Sequence, residues 1–149
     1  MNPFDLKSAL LARHAQHVVL IHFPIALFVV GVAFDFLASR SKSRLLAAAA
    51  RYNLLVAAAA SLPVIVTGTL AWRWQLEGQR LQGVLLLHLV MGGISAALIC
   101  MASWIHLRTA RSPERRLPSY RWPIEVLGIA AVALTSHLGG ILTGVNGTG

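Results

Sequence analysis

Charge is scarce in this chain. Of its 149 residues, 12% are Asp, Glu, Lys or Arg, and only five are acidic. A soluble domain carries about twice that share of charge. With 56% hydrophobic residues and a mean hydropathy of +0.68, the composition excludes an ordinary water-soluble fold and indicates an integral membrane protein. Cysteine is almost missing. Cys100 stands alone, so neither an intrachain disulfide nor a CxxCH haem attachment is possible. There is no phosphate-binding glycine loop and no nucleophile placed beside a base, so a stand-alone enzyme is not indicated. The opening MNPFDLKSALLARHAQH lacks the basic-then-apolar order of a signal peptide, and the first apolar run is expected to be retained. No internal repeat or low-complexity linker divides the chain, which reads as one transmembrane domain over 1–149.

What is abundant is apolar sequence in long runs. A hydrocarbon core of ~30 Å takes ~20 helical residues. Four stretches qualify, at about 18–37, 45–72, 83–105 and 123–143. Backbone polar groups in lipid need internal partners, so these are helices. Short connections predict an all-α, up-down four-helix bundle. Residues 2–16 are expected to form a short interfacial helix, with Asn2 as its cap, Pro3 in its first position and Asp5 in its first turn.

The positive charge is not spread evenly. Arg40, Lys42, Arg44 and Arg51 cluster at the first connection, and Arg108, Arg111, Arg115, Arg116 and Arg121 at the third. These are nine of the thirteen basic residues, and an up-down bundle puts both connections on one side. The positive-inside rule makes that side cytoplasmic and leaves both termini periplasmic in a bacterial inner membrane. The net charge of +8 is then a matter of topology, not of nucleic-acid binding.

Six histidines interrupt this apolar pattern: His14, His17, His22, His88, His106 and His137. At 1.5 Å per residue, His22, His88 and His137 each fall ~6–9 Å below the outer boundary, on three different spans. His14 and His17 lie just above them. Imidazole is the common metal ligand and the usual axial ligand of haem b, and bundle cores host such sites. His22 and His88, on diagonal helices, are candidate haem ligands. His137 is a candidate replacement ligand or propionate partner, and His14 or His17 a propionate partner. Gly92, on the face of His88, and Gly140, on the face of His137, leave room for a flat ligand. The alternatives are a copper or zinc site of His22, His88 and His137, a quinone pocket, or histidines that only tie helices together in an accessory subunit of a larger membrane complex.

Three further features carry expectations. Pro24 cannot donate to the Leu20 carbonyl, which is left to receive the ring N–H of His22. Asp35, near the inner end of span one, needs a cation. Arg40 or Arg51 is the expected partner, and a proton relay or quinone contact is the sharper role. Glu125 suits the N-terminus of span four. His106, without a histidine neighbour at its depth, is expected to be interfacial and solvated.

Residues 17–27, HVVLIHFPIAL, together with Gly31, Asp35, Thr67-Gly68, His88 and the stretch 137–140, HLGG, resemble a bacterial membrane-protein family, the transmembrane domain of unknown function 2231. The resemblance runs from about His17 to the end. Val18 stands where the family signature has proline, and the tail after the double glycine differs from the family's usual Leu-Val-Tyr. Relatives joined to Rieske-type or cytochrome c-type domains imply electron transfer at the outer face. A periplasmic redox protein, a quinone or a larger complex would then be the partner, with lipid around the spans.

Overall fold

The computed structural model describes residues 13–75, 77–78, 80–111 and 116–144. The expected interfacial helix at 2–16 lies almost wholly outside them, as does the side chain of His14. The described chain is four helices: α1 Arg13–Ser41, α2 Arg44–Gln75, α3 Gly83–Arg111 and α4 Arg121–Leu142. All four are long and apolar enough to cross a membrane. α1, with 29 residues, and α2, with 32, run ~44 and ~48 Å, well beyond a ~30 Å core, so their ends reach past it.

Local sequence explains the breaks. Lys42 and Ser43 alone join α1 to α2. Lys42 turns the chain in the left-handed region, at φ 58°. Ser43 Oγ then accepts the N–H of Leu46 at 3.3 Å and caps α2. Between α2 and α3, Glu77 and Gly78 both take positive φ. Pro24 and Pro63 sit inside α1 and α2 without ending them.

The helices pair as two hairpins. α1 packs along α2 and α3 along α4, α2 touches α3, and α1 meets α4 over a shorter stretch. α1 and α3 therefore lie on a diagonal, as expected. The core is small and sits in the half nearer the arginine-rich connections. Phe28, Val32, Leu54, Ala57, Ile99, Ala102 and Val132 form it. Small residues admit the large ones: a Cβ on Gly128 would stand 2.6 Å from Phe28 Cζ, and one on Gly31 3.0 Å from Leu54 Cδ2. Many other large apolar side chains, Val19, Phe23, Leu62, Leu87 and Leu127 among them, are exposed on the bundle surface, where lipid contacts are expected of a spanning helix.

Candidate functional site

The packing concentrates buried polar groups at the arginine-rich end. Asp35 and Ser39 share a face of α1 at i and i+4. Arg121 and Glu125 do the same on α4, and His106 comes from α3. Asp35 is 1% exposed, Glu125 0%, His106 4% and Arg121 7%. Arg121 donates from Nε to Asp35 Oδ2 at 2.7 Å, from Nη2 to Ser39 Oγ at 2.7 Å, and from Nη1 to the Pro118 carbonyl at 3.2 Å. It thereby links the two hairpins. His106 Nε2 lies 3.0 Å from Glu125 Oε1 and 4.0 Å from Asp35 Oδ1. Glu125 Oε2 is buried with no hydrogen-bond partner among the described residues. An aromatic pair covers the cluster: Trp122 meets Phe36 edge-on at 6.1 Å, with Arg121 over Trp122 and Arg40 over Phe36.

Three expectations are corrected here. Asp35 pairs with Arg121, not with Arg40 or Arg51, because the start of α4 packs beside the end of α1. Arg40 and Arg51 instead stack on Phe36 and Tyr52. His106 is not solvated. It lies on the stripe of α3 that also buries Ser95, Ile99 and Ala102, and that stripe meets α4. Glu125 does not serve the helix terminus; it reaches His106. The signal was available in the sequence. Asp35, His106, Arg121 and Glu125 all fall at one depth near the inner boundary, the same coincidence that drew attention to the outer histidines.

The outer histidines are arranged differently. His17 Nδ1 meets Thr67 Oγ1 at 3.2 Å, and its ring packs on Gly68, tying α1 to α2. His88 donates from Nδ1 to the Thr135 carbonyl at 3.1 Å, with its ring against Gly139, tying α3 to α4. Ser95 and Thr135 share a further hydrogen bond at 3.0 Å. His22 is exposed and donates from Nδ1 to the Val18 carbonyl at 2.7 Å, not to that of Leu20. The i−4 carbonyl lies directly under the ring, whereas the Leu20 carbonyl is only two residues away along the helix. His137 is exposed, and Gly92 and Gly140 are half-buried. A Cβ on Gly92 would meet only Thr135, at 3.8 Å. A cleft at this end, lined by Gln16, Thr67, Leu70 and Trp74, has about 30 Å³.

Among the described residues, one group of three potential metal ligands has its ligand atoms within 4.8 Å of one another: Asp35, His106 and Glu125. His22, His88 and His137 do not form a second. Among the described residues this convergence of potential ligands lies at the end opposite the expected one.

Four apolar helices that can span a bilayer, with a buried polar cluster held among three of them, define a multi-pass integral membrane protein. Within that class, the chain belongs to the family described as predicted membrane protein (DUF2231), whose model matches residues 13–149 and so covers all four helices. No curated protein and no solved structure matches the chain.

Proposed function

We propose that the protein is a membrane subunit whose buried Asp35–Arg121–His106–Glu125 cluster takes up and releases one proton at the arginine-rich end. The observation that carries this is the pair of His106 Nε2 and Glu125 Oε1, 3.0 Å apart in a fully buried setting, with Glu125 Oε2 unpartnered beside it. Charge counting supports the reading. Arg121 and Asp35 neutralise each other. His106 and Glu125 together are neutral when one proton is added to the neutral ring or to the carboxylate, and carry one buried negative charge without it. An uncompensated buried charge costs several kcal/mol, so gain or loss of this proton changes the electrostatics of the whole cluster, and an ionisable pair at such a depth is by default a candidate functional site. By the positive-inside rule this end faces the cytoplasm of a bacterial inner membrane, with both termini periplasmic. Infrared spectra of the purified protein across a pH titration test the assignment. A protonated-carboxyl band that titrates in the native protein and vanishes in Glu125→Gln is expected. A band that survives the substitution unchanged would sink it.

A second reading keeps the histidine-rich end as an electron-transfer site. It would bind haem b, or copper or zinc, through His22, His88 and His137, with His22 and His137 turning inward from their exposed settings, and would serve a quinone or a periplasmic redox protein. What favours it is ring orientation: His22 and His88 both donate from Nδ1 to a carbonyl, which leaves Nε2 as the lone-pair nitrogen a metal needs. A Soret band that shifts on reduction and disappears in His88→Ala would support haem, and metal without that band would support copper or zinc. A colourless, metal-free protein leaves the chain as a non-redox accessory subunit of a larger complex.

A further inference from the structure

The positive-inside bias gathers basic residues at this end of the bundle without fixing which of them share a cleft. At the arginine-rich end two of them line a single cleft of about 350 Å³. Arg108 comes from the last turn of α3, and Arg116 from the connection to α4. Both are exposed. The Arg108 guanidinium stands 5.9 Å from the centre of the Trp104 ring, which steadies it at the cleft wall. Thr109 adds a hydroxyl and Tyr120 a phenol. Among the described residues no carboxylate lines the cleft. The nearest acids along the helices, Asp35 and Glu125, are buried and already engaged by Arg121 and His106. Those two acids therefore supply the cations no counter-charge; Glu114, two residues before Arg116, lies outside the described residues.

The setting adds the second half of the argument. Trp104 and Tyr120 are 58% and 60% exposed. These are the side-chain types that settle at headgroup level, with the ring toward the acyl chains and the polar edge toward water. One turn back along α3, Met101 is also exposed and continues an apolar track away from the cleft. A ligand that fits must be anionic where it meets the arginines and apolar where it runs along α3.

We propose that this cleft binds the phosphate of an anionic membrane phospholipid, clamped between Arg108 and Arg116. A guanidinium offers a planar fork that matches phosphate oxygens two at a time, which a lysine does not. Thr109 and Tyr120 supply further donors. The acyl chains lie along the exposed face of α3. The site is independent of the proton assignment, since neither arginine belongs to the buried cluster.

Native mass spectrometry of the full chain in detergent, titrated with phosphatidylglycerol or phosphatidylcholine, tests the site. Phosphatidylglycerol is expected to be retained preferentially, and Arg108→Ala/Arg116→Ala to weaken its retention by roughly tenfold. Arg73→Ala/Arg80→Ala removes two exposed charges from the opposite end and is expected to leave the preference in place. Equal losses in the two double variants would mean that bulk charge and not a site attracts the lipid, and would overturn the proposal. So would an unchanged preference in Arg108→Ala/Arg116→Ala. Inorganic phosphate is the third probe: displacement of the lipid by phosphate at comparable concentration would assign the cleft to a soluble anion and overturn the lipid assignment. Helical content and melting of each variant are followed in parallel; all four arginines are exposed, so folding is expected to be preserved.

Discussion

The two ends of this bundle place polar side chains at matched depths and use them in opposite ways. At the arginine-rich end, groups from α1, α3 and α4 turn inward and share one buried cluster, with Arg121 linking the two hairpins. At the histidine-rich end, His17 ties α1 to α2 and His88 ties α3 to α4, while His22 and His137 face outward. Equal depth is therefore not convergence. Depth follows from counting residues along a helix. Convergence depends on which way each helix is rotated and on which neighbours it meets.

The sharpest way to break this contrast is to remove Arg121. Arg121→Ala leaves Asp35 buried without its cation and is expected to cost about 3–5 kcal/mol of stability, read as a lowered melting transition in detergent. Asp35→Leu combined with Arg121→Met should recover most of that loss. If Arg121→Ala costs no more than a surface change, the cluster does not hold the hairpins together. Next in size is Gly128→Ala. Its new methyl would press on the buried Phe28 ring, 2.6 Å away, and a loss of about 1–3 kcal/mol is expected; Phe28→Leu in the same background should relieve part of it.

The histidine-rich end should respond more weakly. His88→Ala removes one cross-helix hydrogen bond, worth about 0.6–2 kcal/mol in a membrane bundle, whereas His22→Ala, whose bond is to its own helix, is expected to change the melting transition hardly at all. Equal effects from the two would show that the outer rings act together after all, and would revive a shared ligand. The smallest change expected is a gain. Lys42 holds a left-handed conformation in the two-residue turn between α1 and α2, so Lys42→Gly should stabilise by about 1 kcal/mol in the same assay. No gain would mean that the lysine side chain compensates for its backbone.

Much of the fold was legible beforehand. Four apolar runs gave four helices, and the short connections gave hairpins with α1 and α3 on a diagonal. The candidate site was legible only in its ingredients. Asp35 is too costly in a spanning helix to lack a partner, and that expectation was met. By sequence alone its expected partners are Arg40 and Arg51. Arg121, 86 residues away, supplied the charge because the antiparallel α4 begins where α1 ends. His106 has no second histidine at its depth, and Glu125, a carboxylate, serves as its partner instead.

What the sequence determined by itself is the spanning architecture and the asymmetry of charge along it, because lipid demands long apolar helices and basic residues gather at their connections. Tertiary structure decided which polar residues meet. An α-helix fixes the order and height of its side chains but not its own rotation. That rotation is set by packing: Phe28 against Gly128 and Leu54 against Gly31 hold α1 in the setting that brings Asp35 to Arg121. His22, on the same helix, is left facing outward.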